Sequence, residues 1–223
     1  MLPLSQYGVQ LTSENWLPAH HQWPRHFVME PLTKNQIDQF QHDGFVVVQN
    51  LLEKKTIEML RRCFDRLFRG EFGTGISPDE VNWQLGRDDP LLTRQICNAW
   101  KADKLIARTV LRKDLGKAIA HLANWPGTRI FQDNLLWKPA KALPIGYHQD
   151  NAYITWLKPQ EIVSCWIALD DTRQESGTLE LVRYSHRWAH SNADSKFHNP
   201  KHYRKAMEKA ARKEDVSPDV VYI

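Results

Sequence analysis

Hydrophobic side chains recur at helical spacing through much of the first 70 residues. Thr33, followed three positions later by Gln36, has the form of a capping box, and this predicts a helix that ends at Gly44. The next apolar run, residues 45–48, is short and β-branched, which predicts a buried strand. Residues 54–69 place five apolar side chains on one helical face: Ile57, Leu60, Phe64, Leu67 and Phe68. The predicted order is helix, strand, helix.

The hydrophobic period changes near residue 125. Residues 103–124 keep a helical pattern, after a loop over residues 70–90 in which glycine, proline and acidic residues are frequent. Three later segments have the composition of strands: residues 128–137, 162–169 and 178–182. Residues 199–213 are again helical, and residues 220–223 have the form of a strand. Helices first and strands later predict an α+β domain with an antiparallel sheet or barrel as its core.

Composition fits one domain with a sizeable core, since 42% of the 223 residues are apolar and 10% are aromatic. We expect this domain over residues 31–223, after an irregular N-terminal arm over residues 1–30. The net charge is +4 and both signs are interleaved, so nothing points to nucleic acid. Neither a signal peptide nor a membrane span is indicated, and we therefore expect a cytoplasmic protein. The sequence leaves the oligomeric state open.

Three cysteines stand singly among apolar residues. Cys63, Cys97 and Cys165 have no CxxC spacing. This favours reduced cysteines in the core over zinc ligands or disulfides.

A histidine and an aspartate two positions apart carry the clearest chemistry. On an extended segment, His148 and Asp150 point to the same side and can offer an imidazole and a carboxylate to one ion. They would form two-thirds of a facial triad, in which two imidazoles and one carboxylate hold Fe(II) and leave three positions open. Taken alone, such a pair is more often a hydrogen-bonded histidine beside a solvated aspartate.

Four motifs in a fixed order surround this pair. They are Tyr-His-Gln-Asp at residues 147–150, Val-Ser-Cys-Trp-Ile-Ala-Leu-Asp-Asp at 163–171, Ser-Gly-Thr-Leu at 176–179, and Tyr-Ser-His-Arg at 184–187. The order resembles that of the phytanoyl-CoA dioxygenase family, and the resemblance covers most of residues 30–188. Arg183-Tyr184 stands where the family usually has Pro-Gly, and Ser176 replaces its usual asparagine, so this branch is divergent.

The resemblance implies a fold, a set of cofactors and a site. The fold is a double-stranded β-helix, the cupin-like jelly roll, with flanking N-terminal helices. The cofactors are Fe(II), 2-oxoglutarate as cosubstrate and dioxygen, and the reaction is hydroxylation of a small molecule. His148 and Asp150 become the catalytic iron ligands. Further residues are assigned to the cosubstrate by the same resemblance: Trp166, Asn134, Gln132 and Gln95. Lys138 lies near a position where the family sometimes has a cation, and Trp166 taken alone is more often a core residue.

Two family elements have no counterpart in the sequence. Relatives supply a third ligand, a histidine, from a later strand, followed by an arginine that pairs with the far carboxylate of 2-oxoglutarate. None of the later histidines lies in such a motif: His186, His190, His198 and His202. We therefore expect a sequence that is truncated at its C-terminus relative to the family, with the C-terminal strands of the jelly roll missing.

This departure leaves a second hypothesis open, a catalytically inactive jelly-roll remnant or binding module. A histidine from residues 186–202 that turns towards the metal is a further option, although His186 is expected to be structural. The basic stretch 183–213 favours either a solvated helical face or attraction of an anionic substrate such as a CoA thioester. A zinc hydrolase is disfavoured, since no other cluster has ligand spacing.

Overall fold

The computed structural model describes residues 29–190 and 202–223. Its described residues form five α-helices: α1 Lys34–Asp43, α2 Lys54–Phe68, α3 Lys104–Val110, α4 Lys113–Ala123 and α5 Lys205–Lys213. The capping box at Thr33 and Gln36 is present, and α1 ends at Gly44 with a φ of +89° that favours glycine. The helices predicted near residues 34–43, 54–69 and 103–124 are confirmed.

Two small antiparallel sheets complete the described architecture. The first has the order β1-β2-β3, with strands at Glu80–Val81, Arg94–Cys97 and Asn134–Trp137. The second pairs β4 (Glu180–Val182) with β5 (Val220–Tyr222). The predicted strands at residues 128–137, 178–182 and 220–223 are therefore confirmed in part, each shorter than the sequence indicates.

One hydrophobic core joins α2 to the first sheet. Leu60 and Leu67 of α2 pack with Ile96 of β2 and Leu135 of β3, and all four are buried. The guanidinium of Arg94 lies 3.8 Å from the centroid of the Trp83 ring and 4.4 Å from that of Trp137. Cation–π stacking between two indoles explains how a charged residue is accommodated beside the core at the start of β2.

The first sheet has two chemically different sides. Ile96 faces Leu135 across β2 and β3, and this pair belongs to the core. The neighbouring pair, Cys97 with Asn134, lies on the opposite side because side chains alternate along a strand. Leu136, next to Leu135, is 43% exposed on that opposite side. The side turned away from the core is the one that carries polar groups.

Two predicted strands are wrong. Residues 45–48 form no strand, because no described strand pairs with this segment. Val47, expected to be buried, is 40% exposed. Residues 162–169 also have no regular secondary structure, although Ile167 and Leu169 pack against the core. Strand β1 was missed inside the predicted loop 70–90, since two residues carry no detectable period. An apolar run in the sequence indicates that a segment is buried. Whether the segment forms a strand depends on a partner strand elsewhere in the chain, which the local sequence does not reveal.

The predicted fold class is confirmed only in its coarse form. Helices and strands are mixed as expected, but the three-stranded and two-stranded sheets form no closed barrel in residues 29–190 and 202–223. Residues 1–28, which include most of the predicted arm, and residues 191–201, which include His198, lie outside the described part of the chain. In the described part, no helix combines the length and apolarity needed to cross a membrane.

The prediction of three core cysteines is correct for two. Cys63 and Cys97 are buried, whereas Cys165 is exposed. Burial, with a smaller contribution from Asp103, raises the pKa of Cys63 to about 11. Burial beside Glu80 likewise raises the pKa of Cys97 to about 11. Both buried thiols therefore stay protonated at neutral pH, as expected of cysteines without a catalytic role.

Candidate active site

His148 and Asp150 converge on one point. They lie on the segment that leads into a 3-10 turn at Asp150–Tyr153. His148 Nε2 lies 3.2 Å from Asp150 Oδ1, and His148 Nδ1 lies 2.8 Å from the carbonyl oxygen of Gly146. A carbonyl oxygen can only accept, so Nδ1 carries a proton and Nε2 faces the carboxylate. The side chains are 30% and 48% exposed, which leaves the pair accessible from solvent.

Ser164 supports the carboxylate from the other side. Its hydroxyl donates a hydrogen bond to Asp150 Oδ2. This residue lies in the second motif of the sequence, two positions before Trp166, but was not singled out there. A hydroxyl residue in an otherwise apolar run was the available signal.

The pair favours an imidazolium beside a carboxylate. Burial lowers the pKa of His148, but the hydrogen bonds to Asp150 and Gly146 outweigh burial and leave this pKa raised. The hydrogen bond from His148 holds the pKa of Asp150 below its usual value, against burial and with help from Ser164. In the protonated imidazole, a proton on Nε2 would lie between the two atoms that would ligate a metal. Metal binding must release this proton, so affinity should rise with pH.

The two donors fit an octahedral ion. Ligands about 2.1 Å from an ion and at right angles to each other lie about 3.0 Å apart, close to the observed 3.2 Å. A metal-bound histidine commonly donates its other ring N–H to a carbonyl, as His148 does to Gly146. Within residues 29–190 and 202–223, no group of three or more histidine, cysteine, aspartate or glutamate side chains is arranged to hold a metal.

The later histidines occupy other surroundings. His186 packs against Gly44 so closely that a Cβ on this glycine would overlap His186 Nδ1. His190 Nε2 lies 3.1 Å from the side-chain amide of Asn151, the residue after Asp150. His202 lines a cavity of about 570 Å³ beside α5. His198 lies outside the described residues.

Three of the four residues predicted to contact the cosubstrate meet at Asn134. The amide nitrogens of Gln132 and Gln95 lie 2.8 Å and 3.0 Å from Asn134 Oδ1, and the thiol of Cys97 lies 3.1 Å from it. Three donors therefore hold one amide oxygen, which fixes the orientation of the side chain. In the hydrogen bonds among the described residues, Asn134 takes part through Oδ1. Cys97, classed as a core residue from the sequence, was missed as a member of this group.

Trp166 and Lys138 are the two other residues that the sequence singles out. Trp166 is 41% exposed, so it is not the core tryptophan that composition alone favours. Its chain neighbour Ile167, by contrast, packs against the core. Lys138 Nζ lies close to Gly177, in the third motif, where a Cβ would be 2.6 Å away.

A partly buried carboxylate anchors the segment just before His148. Glu180 accepts hydrogen bonds from the hydroxyls of Tyr147 (2.7 Å) and Tyr203 (3.1 Å) and from the Arg204 guanidinium (2.8 Å). The backbone N–H of Tyr147 donates to the carbonyl of Tyr203 at 3.1 Å, and the two rings stack 6.2 Å apart. Burial, then the bond to Glu180, raises the pKa of Tyr147. These contacts hold the segment that carries His148 and Asp150 against Glu180 of β4 and against the two residues that precede α5.

Glu180→Ala should lower the free energy of unfolding by about 2 kcal/mol. The substitution removes the acceptor that two hydroxyls and a guanidinium share, and each hydrogen bond of this kind contributes about 0.5–1.5 kcal/mol to stability. Urea denaturation followed by circular dichroism measures the change. Glu175→Ala, at an exposed glutamate on a nearby turn, is the matched control and should change stability little. Equal effects of the two variants would contradict the anchoring role.

Comparison with known proteins adds one finding. The family model of phytanoyl-CoA dioxygenase matches residues 40–219, which include all four motifs and α5. Comparison with curated proteins finds no match, and comparison with solved structures finds none either. The matched region spans well over half of the 223 residues and agrees with the family expected from the motifs. The chain belongs to the phytanoyl-CoA dioxygenase family.

Proposed function

We propose that the protein is an Fe(II)- and 2-oxoglutarate-dependent dioxygenase that hydroxylates a small molecule on a jelly-roll domain. Family membership supports a dioxygenase-type enzyme. The observation that carries the proposal is the convergence of His148 Nε2 and Asp150 Oδ1, with the other ring nitrogen held by the Gly146 carbonyl. Together they match the histidine and carboxylate part of a facial triad.

In this proposal His148 and Asp150 hold the iron, and the polar side of the first sheet holds 2-oxoglutarate. Asn134 presents N–H donors of fixed orientation, supported by Gln132 and Gln95, and such donors suit a carboxylate or keto oxygen. Trp166, which is 41% exposed, supplies an apolar wall of the pocket in this proposal. When bound, Fe(II) and 2-oxoglutarate together activate dioxygen for insertion of a hydroxyl group into substrate, with succinate and carbon dioxide as coproducts.

An anionic substrate, such as a CoA thioester, fits the cations near the site. Three cations and one carboxylate line the cavity beside α5, together with an imidazole and a phenol: Arg204, Lys205, Arg212, Glu208, His202 and Tyr203. Tyr203 stacks on Tyr147, whose chain neighbour is His148, so the cavity lies near the ligand segment. Cations around an open cavity attract anions, and this supports the substrate class without naming a substrate.

Anaerobic titration with Fe(II) and 2-oxoglutarate tests the function. We expect a weak visible charge-transfer band that appears only when both are present. Succinate in place of 2-oxoglutarate is the control, because it lacks the keto group and should give no band. A folded protein that gives no band and binds no Fe(II) would contradict the proposal.

A second candidate function is that of a jelly-roll binding module without catalysis. It is favoured by the described residues, in which no third side chain joins His148 and Asp150 in a metal-binding group. The same titration separates the two functions. Binding of 2-oxoglutarate without Fe(II), measured by isothermal calorimetry in the absence of any visible band, would favour the module.

A further inference from the structure

The Asp150 carboxylate has two oxygens with different surroundings. Oδ1 lies 3.2 Å from His148 Nε2, on the side where the two donors converge. Oδ2 accepts the hydrogen bond from the Ser164 hydroxyl. A carboxylate can bind an ion through one oxygen or through both, and a donor fixed on Oδ2 disfavours binding through both. The hydrogen bond therefore selects Oδ1 as the single ligating atom.

Ser164 is itself held in place by the segment that carries it. Ile167 and Leu169, on the same segment, pack against the core formed by α2 and the first sheet. Ser164 is exposed, and its hydroxyl reaches Asp150 across 14 positions of sequence. The carboxylate is thus braced by a segment anchored in the core, while the turn Asp150–Tyr153 that contains it is short.

Each of the two metal-binding side chains is oriented by a hydrogen bond on the side away from the ion. The Gly146 carbonyl accepts from His148 Nδ1 and aims Nε2, and the Ser164 hydroxyl donates to Asp150 Oδ2 and aims Oδ1. Two donors aimed in advance lose less conformational freedom when an ion binds, so the ion is held more tightly. Such prior orientation of the ligands matters more where the described residues supply only two protein ligands.

We infer that Ser164 is a positioning residue for the metal site, which holds Asp150 so that Oδ1 alone faces the ion. The inference rests on the proposed function. It assigns no contact between Ser164 and the metal or the substrate. The hydroxyl group, rather than the size of the side chain, performs this role, and threonine should replace serine while alanine should not.

Metal affinity measures this role directly. Mn(II) is an air-stable probe, and the electron paramagnetic resonance signal of free Mn(II) gives the dissociation constant for the full chain. Ser164→Ala should raise the dissociation constant about tenfold, within the about 10- to 100-fold cost of losing a residue that supports a ligand. Ser164→Thr should bind within about twofold of the unsubstituted protein. Ser77→Ala, at an exposed serine remote in sequence, is the matched control and should leave affinity unchanged.

The outcomes separate this inference from the proposed function. Unchanged affinity in Ser164→Ala, with binding still present in the unsubstituted protein, would overturn the positioning role and leave the function standing. Affinity lost equally in Ser164→Thr and Ser164→Ala would also overturn it, since the hydroxyl would then not be responsible. Absence of Mn(II) and Fe(II) binding in the folded, unsubstituted protein would overturn both. Thermal unfolding of each variant shows whether it is folded.

Discussion

Replacing His148 with alanine should lower the affinity for Fe(II) by more than about 100-fold, equivalent to about 2.8 kcal/mol at 1.4 kcal/mol per tenfold. The substitution removes one of two converging donors, and loss of a ligand should exceed the about 10- to 100-fold cost of losing a supporting residue. It also leaves the Gly146 carbonyl without its ring N–H partner. Anaerobic calorimetry with Fe(II) gives the affinity, and the charge-transfer band formed with 2-oxoglutarate should disappear.

His186→Ala is the matched control for this result. Both histidines lie in motifs shared with the family, but His186 packs against Gly44 at the end of α1. Its removal should leave Fe(II) affinity within about twofold, because a residue outside the site contributes nothing to the binding energy. Loss of affinity in His186→Ala with a normal melting curve would contradict His148 and Asp150 as the iron ligands.

Leu135→Ala should lower the free energy of unfolding by about 3 kcal/mol. Leu135 is 6% exposed and belongs to the core between the first sheet and α2. Truncating a buried leucine removes apolar burial and leaves a cavity, at a cost of about 2–5 kcal/mol. Urea denaturation measures this loss, provided that the slope of the transition is unchanged.

Leu136 provides a control of the same residue type on the same strand. It is 43% exposed on the opposite side of the sheet, so Leu136→Ala should cost less than about 1 kcal/mol. The two adjacent substitutions remove the same atoms and differ only in the side that loses them. Equal costs would show that the polar side of the sheet is covered by packed chain, and would contradict its assignment as the wall of the proposed site.

Local signals in the sequence predict the helices well. Thr33 and Gln36 form the predicted capping box, and the face of α2 that carries Leu60 and Leu67 is buried as its spacing indicates. Helices satisfy their hydrogen bonds within one segment, so a short window of sequence contains most of the information. The strands are less predictable, because a strand needs a partner elsewhere. Strand β2 escaped notice since its four residues include an arginine that stacks between two tryptophans.

The candidate site, like the fold, could be predicted only in part from local sequence. Spacing of two along an extended segment predicts that His148 and Asp150 meet, and they do. Family resemblance assigned Gln95, Gln132 and Asn134 to the cosubstrate, but did not predict the hydrogen bonds that join them. Ser164 and Glu180 were not identified, because each acts across a long stretch of sequence through a hydrogen bond that only the folded chain brings about. The jelly-roll fold and the roles of His148 and Asp150 as iron ligands stay predictions.

The two-sided character of the β1-β2-β3 sheet bears on how this protein can change over evolutionary time. Positions on its core side, such as Ile96 and Leu135, are constrained by close packing, and nearly every substitution there lowers stability. Gln95 and Leu136, on the far side, can mutate at small thermodynamic cost. A lineage can therefore sample new ligand preferences on one side of the sheet while the other preserves the fold, which makes this scaffold readily adaptable.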